Sequence, residues 1–231
     1  MRRVTYPKAN ILVVQTKPIL KYFNAFMKIE KLKILANPIS STLQEAKDNI
    51  QIPKENIILN VGRLTNQKGQ EIAIRAFSSV NPQDWQLHLV GEGPKRKEYS
   101  SLIRKLGMED KILIIGRDNQ ISSYFLRSKI FVFPSRFEGF PNALTEAMYM
   151  GLPCISTNCP TGPSELIEDG VNGFLTPVDN IEILAETINK LVCNTRLRQV
   201  IGLKAAESVS HLEENKVVKQ WQQLINESLK N

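Results

Sequence analysis

Short apolar runs punctuate the chain at 57–61, 86–90, 111–115, 130–133, 153–156 and 173–175, and stretches with helical spacing separate them. Continuous short runs, rather than alternation, predict strands buried on both faces. Strands alternating with helices predict an α/β fold, a Rossmann-like parallel sheet with helices on both faces. Ahead of this series, 10–16 reads as a strand, 18–27 as a helix and 32–39 as a connecting segment. From about Asn180 the spacing is helical, at 180–193, 195–210 and 213–229, the last stretch carrying Trp221, Leu224 and Ile225. Ligands of such sheets bind at the carboxyl ends of strands. Arg63, Gly91, Gly116 and Glu138 all follow predicted ends.

Two of these junctions carry candidate chemistry. The run from Glu138 to Glu146 sets two carboxylates across a strand-to-helix junction, between a strand closed by Pro134 and a helix at 141–150 that stops at Gly151. Unpaired N–H groups at a helix start favour an anion. A carboxylate beside them suits sugar hydroxyls, so the junction fits a ligand bearing both phosphate and sugar. On a helical wheel, Leu144, Ala147, Met148 and Gly151 share one face, and Asn142, Glu146 and Tyr149 the other. Taken alone, Glu146 therefore reads as a solvated residue. The second junction is 57–69, a buried strand, a turn at Gly62, then Arg63 and Lys68 bracketing the start of a helix that runs to about Val80. Either cation alone reads as surface charge. Together, at a strand end beside a helix start, they form an anion clamp.

With these segments in place, the chain resembles the C-terminal domain of family 4 glycosyltransferases, the retaining enzymes of GT-B fold. The matching pieces are Gly62-Arg63-Leu64 with Lys68-Gly69, Leu89-Val90-Gly91-Glu92-Gly93-Pro94, Gly116-Arg117, Pro134 to Phe140, and Glu146-Ala147-Met148. Gly151-Leu152-Pro153, Gly162 to Ile167 and Gly170 to Leu175 complete the series. The paired glutamates alone are moderately specific; the whole series in this order is highly specific.

The resemblance implies a role for each matching residue. Arg63 and Lys68 hold the donor diphosphate and stabilise the leaving nucleoside diphosphate, with Glu138 beside the transferred sugar; these three are the catalytic candidates. Glu146 accepts hydrogen bonds from the donor ribose. The backbone at Gly139, Phe140, Asn142 and Ala143 lies against the sugar and β-phosphate, where Pro141 has no N–H to offer. Gly62 forms the first turn, Gly116 and Arg117 meet the base, and Gly91 and Gly93 sit where backbone approaches the ligand. No Asp-x-Asp occurs, so a bridging Mg²⁺ or Mn²⁺ has no obvious ligands. Transfer without a metal or other cofactor is expected, the departing phosphate helping to deprotonate the acceptor. The donor is a nucleotide-sugar, UDP-linked by analogy, and the acceptor a glycan or lipid-linked saccharide.

Length complicates this reading. A chain of 231 residues accommodates the donor domain but little of the facing, acceptor-side domain that a GT-B enzyme needs. The expected division is 1–40 as the tail of the acceptor-side domain and the crossing, 41–210 as the donor-binding domain, and 211–231 as a helix returning toward the first domain. A separate chain supplying that domain is one expected partner. Two alternatives stay open: a non-catalytic nucleotide-sugar-binding module, and a basic nucleic-acid-binding α/β domain, which the motifs fit poorly.

Bulk properties change the picture little. The net charge of +7 and pI of about 9.3 allow nucleic acid, an anionic membrane or a polyanionic ligand. No nucleic-acid motif is present, so no nucleic-acid partner is expected. Met1-Arg2-Arg3 and Lys95-Arg96-Lys97 are the densest basic clusters, the latter read as a solvated helix face. A cytoplasmic location is expected, with peripheral contact at the inner membrane face, since no apolar run of spanning length or leader-like segment occurs. Cys154, Cys159 and Cys193 fit neither a zinc nor a redox spacing, and reduced thiols are expected. His88 reads as structural, His211 as surface and Trp85 as core. The 160–165 segment reads equally as a capped helix start or a border of the donor pocket.

Overall fold

Burial on both faces decides where the strands form. The computed structural model describes residues 5–229. Its main sheet contains β3 (Ile57–Val61), β4 (Gln86–Val90), β5 (Ile112–Gly116), β6 (Ile130–Phe133), β7 (Cys154–Thr157) and β8 (Phe174–Thr176), all parallel. Along β6 the side chains alternate between two cores. Ile130 and Val132 join Ile58, Leu87 and Phe77 on one face; Phe131 and Phe133 join Leu59, Phe125 and Met148 on the other. Central strands with an apolar partner on each side read as continuous apolar runs, which is why they were legible.

The helices are α2 (Ser41–Asn49), α3 (Gln70–Val80), α4 (Arg96–Lys105), α5 (Ile121–Arg127), α6 (Asn142–Tyr149), α7 (Pro163–Leu166), α8 (Ile181–Val192), α9 (Thr195–Val209) and α10 (Glu214–Ser228). Local chemistry starts and stops several of them. Asn180 Oδ1 accepts from Ile183 N at 2.8 Å and Asn194 Oδ1 from Leu197 N at 2.9 Å, capping α8 and α9. Gly151, at φ 74°, turns the chain out of α6.

Before the sheet, β1 (Leu12–Val14), α1 (Lys17–Asn24) and β2 (Leu32–Ile34) form a small parallel βαβ unit around Val14, Phe23, Met27 and Leu32. The extended segment after β2 is tied to the start of α10: Ile39 N donates to the Leu212 carbonyl at 2.8 Å, and Ser41 N to Glu214 Oε2 at 2.8 Å.

Some expectations change. The 18–27 helix ends at Asn24, the 10–16 strand shortens to Leu12–Val14, and the 32–39 crossing begins with a short strand, Leu32–Ile34. Tyr149, assigned to the solvated face of α6, is buried, because Lys47 from α2 covers its ring at 4.0 Å. Trp85 and His88 are buried as expected, and His211 is exposed. The Lys95–Lys97 cluster is solvated and locally paired, with Lys95–Glu98 at 2.5 Å and Arg96–Glu92 at 2.7 Å. Met1-Arg2-Arg3 lies outside the described residues. Among the described residues, no helix is long and apolar enough to cross a membrane.

Candidate functional site

The strand order β5-β4-β3-β6-β7-β8 means that the chain builds outward from β3 to β5, then returns to β6 on the other side. Adjacent connections therefore diverge at β3 and β6, opening a crevice at their carboxyl ends, where α/β sheets bind ligands. The loops leaving these two strands are 62–69 and 134–141, and they contain most of the candidates.

The two loops are bound tightly together. A Cβ on Gly69 would stand 2.2 Å from the Pro134 carbonyl oxygen, and Gly69 has φ 61°, so only glycine permits this approach. Arg136 N donates to the Gln67 carbonyl at 2.8 Å, and Gln67 Nε2 to the Phe137 carbonyl at 2.9 Å. Lys68 Nζ then meets Glu138 Oε1 at 2.6 Å, with the Glu138 side chain almost wholly buried. One cation of the expected clamp and the carboxylate expected beside the sugar thus form an ion pair. Arg63, in the same 62–69 loop as Lys68, is exposed and makes no ion pair with the described residues. Its carbonyl accepts from Gln70 Nε2 at 3.0 Å.

Sequence reasoning missed Arg136. Its guanidinium contacts Glu71 Oε1 at 2.5 Å, Asp179 Oδ1 at 2.8 Å and the Asn66 carbonyl, bolting the second loop to the first and to α3. Burial pulls its pKa down, but the Asp179 and Glu71 contacts outweigh it and hold the guanidinium above its ordinary value. Neither acidic partner is near in sequence, so no local pattern announces this network. Buried side-chain polar atoms without a partner among the described residues also gather here: Asn60 Oδ1, Gln70 Oε1 and Ser135 Oγ. Such atoms cost stability unless something polar reaches them.

Glu146 stands on the second turn of α6, half-buried, and its carboxyl has no hydrogen-bond or ion-pair partner among the described residues. Burial alone pushes its carboxyl up to about 7. It is not the solvated residue the helical wheel suggested. At the start of α6, Asn142 is exposed and its Oδ1 accepts from Asn37 Nδ2 at 2.9 Å. Ala143 and Phe140 are half-buried, and Gly139 is exposed with open space around it.

Gly91 and Gly93 also pack closely against the chain itself. A Cβ on Gly91 would lie 2.1 Å from the Gly62 carbonyl oxygen, and one on Gly93 would lie 2.3 Å from that of Leu64. The close approach is to the chain's own first loop, secured by Gly62 N to the Val90 carbonyl at 3.0 Å and Leu64 N to the Glu92 carbonyl at 3.0 Å. Gly116, at φ 91°, accepts from Gly91 N at 2.8 Å, and Arg117 is exposed beyond it. In the 160–165 segment, Glu165 Oε2 accepts from Lys17 N at 2.9 Å and caps α1. Among the described residues, no three His, Cys, Asp or Glu side chains converge to hold a metal ion.

A parallel sheet in Rossmann order, with the Lys68–Glu138 pair and orphaned polar groups at its switch point, defines a doubly wound α/β protein. Comparison with known proteins makes this specific. The chain belongs to the family of glycosyl transferases group 1, whose model matches residues 43–208. It is 29% identical over 96% of its length to the amylovoran biosynthesis glycosyltransferase AmsD of Erwinia amylovora, covering 63% of that protein. It is 31% identical over 93% of its length to the N-acetylgalactosamine-N,N'-diacetylbacillosaminyl-diphospho-undecaprenol 4-alpha-N-acetylgalactosaminyltransferase of Campylobacter jejuni, covering 59% of it. The chain thus spans less than two thirds of the length of these curated relatives. Its fold matches Anabaena HepE, solved with UDP and glucose, at a TM-score of 0.83 and 23% identity, over 95% of this chain and 64% of that one. The Rossmann-like half of a GT-B glycosyltransferase, expected from the sequence, is the fold observed.

Proposed function

We propose that this chain is the donor-binding part of a retaining, metal-independent glycosyltransferase. It moves a hexosyl group from a UDP-sugar to a glycan or lipid-linked saccharide, in polysaccharide or cell-surface glycan synthesis. The observation that carries this reading is the Lys68–Glu138 pair, 2.6 Å apart, at the switch point of the sheet. A lysine ammonium has three donors, so Lys68 can keep Glu138 and still bind a phosphate oxygen. Arg63, exposed in the same loop, supplies the second positive charge. Together with the start of α6 these groups balance the charge that builds on the departing diphosphate, the place where fixed charge lowers a barrier most. Glu138 orients Lys68 and is placed to accept from a hydroxyl of the transferred sugar. Glu146, raised and unpartnered, is the acceptor for two ribose hydroxyls.

Residues 1–40 are read as part of the acceptor-side domain and crossing, 41–210 as the donor domain and 211–231 as the helix returning to the first domain. A facing domain, in the same or a separate chain, completes the cleft and holds the acceptor in line. The partly exposed apolar residues Val218, Trp221 and Ile225 of α10 support a neighbour there. The enzyme works in the cytoplasm, at the inner membrane face when its acceptor is lipid-linked. The second reading is donor binding without transfer by this chain.

Calorimetric titration with UDP, GDP and UDP-sugars, with and without EDTA, tests the proposal. One nucleotide binds, EDTA changes nothing, and Lys68→Ala and Glu146→Ala each weaken binding about tenfold or more. Binding that needs a divalent ion, or that ignores both substitutions, would sink it. Sugar transfer by this chain alone would remove the second reading.

A further inference from the structure

A second concavity lies at the opposite end of the sheet. At the amino ends of β6 and β7, a groove of about 720 Å³ opens between α9 and the 151–153 segment. The strands are parallel, so this end faces away from Lys68 and Glu138. The length of β6 alone separates the two ends by roughly 13 Å.

Lys47, Lys54, Lys129 and Arg198 line the groove. Each is held by neutral acceptors. Lys47 Nζ donates to the Tyr149 carbonyl at 2.7 Å, Lys54 Nζ to the Ser128 carbonyl at 2.8 Å, Lys129 Nζ to Asn56 Oδ1 at 2.6 Å, and Arg198 Nη1 to the Val192 carbonyl at 2.8 Å. Among the described residues, no carboxylate is within ion-pair distance of any of the four. Asp48 and Glu213 bear on Lys47, but Glu213 already pairs with Lys216 at 3.0 Å. Burial and the charge of Lys129 together push the Lys54 ammonium down to about 8. Lys47 and Lys54 are exposed and Lys129 and Arg198 half-buried, so solvent screens part of the repulsion among these like charges, and an anion would relieve the rest. The floor is apolar, formed by Leu152 and Pro153, with Leu203 68% exposed at the rim. A Cβ on Gly202 would stand 2.2 Å from the Gly151 carbonyl oxygen, so α9 lies directly on this floor.

We propose that this groove binds a phosphate ester with an apolar portion. Lys54, Lys129 and Arg198 hold the phosphate, and Leu152, Pro153 and Leu203 carry the apolar part. The inference stands independently of the donor site. The ester is either free in solution or the headgroup of a membrane lipid, two sources of one chemistry.

The test is titration of the Trp221→Phe protein with dihexanoyl phosphatidic acid below its micellar concentration. Arg198 stands 5.3 Å from the Trp85 ring, so Trp85 emission reports an anion reaching it. Binding saturates, and Lys54→Gln with Lys129→Gln weakens it about tenfold or more, as expected for two lost charged contacts. UDP affinity stays the same in that double variant. Co-sedimentation with phosphatidylglycerol vesicles, against phosphatidylcholine vesicles, separates the sources. Charge-selective pelleting that the double variant loses identifies a lipid headgroup; saturable soluble binding without pelleting identifies a free ester. The single Lys54→Gln protein replaces the double variant if circular dichroism shows the latter unfolded. Absence of saturable binding in both arms overturns the proposal, as does equal binding by wild type and a folded variant.

Discussion

Glu146 shows how a site residue can cost the fold something and serve the ligand. Its carboxyl is raised from 4.5 to about 7 by burial, so the native state binds a proton more readily than the unfolded chain. Its contribution to stability is therefore fully present below about 4.5 and is lost as pH rises through about 7. Glu146→Gln removes that loss. The variant should match wild type near pH 4 and exceed it by about 2 kcal/mol at pH 8, allowing for partial solvent access. Denaturant melts at the two values check this. The ionised carboxylate accepts from both ribose hydroxyls through stronger, charge-assisted bonds than the protonated acid can offer, so UDP affinity should rise with pH through about 7 and then level. Calorimetry in buffers of different ionisation enthalpy should register proton release near pH 6.5. A pH-independent affinity would remove Glu146 from the ribose.

The glycines separate structural from ligand-facing backbone within single elements. Gly69→Ala forces a Cβ to 2.2 Å from the Pro134 carbonyl in a left-handed conformation. It should lower stability by about 2 kcal/mol or more and loosen both loops. Gly139→Ala meets nothing within 4 Å, so its melting should stay within about 0.5 kcal/mol of wild type. If its backbone lies against the sugar, UDP-sugar binding should nevertheless weaken. Loss of stability in Gly139→Ala would contradict the open space seen there. Arg136→Ala should cost about 1–2 kcal/mol through its two carboxylate contacts. It should also weaken UDP binding although Arg136 touches no proposed ligand atom. Unchanged UDP binding in a folded Arg136→Ala protein would mean that the loops hold their geometry without it.

At the scale of the molecule, what the sequence revealed follows physical range. Strands were legible because central parallel strands must be apolar throughout, and the breaks between them carry Gly and Pro. Helix ends at Asn180 and Asn194 were legible because caps act within three residues. The Lys68–Glu138 pair joins residues 70 apart, and Arg136 reaches Glu71 across 65. No local spacing encodes such pairs. Only the strand order, which puts β3 next to β6, creates them. The same order sets Gly91 and Gly93 against the neighbouring loop, a close approach that no local spacing announces. Tyr149 misled the helical wheel because its cover comes from α2, about 100 residues away.

The central claim is that a nucleoside diphosphate occupies the switch point between β3 and β6. Hydrogen–deuterium exchange with saturating UDP tests it most directly. Protection should appear in 62–70 and 134–147, with a smaller effect at 116–117, and the amino ends of the strands should be unchanged. Protection confined to other segments, or no change where calorimetry shows UDP bound, would contradict it.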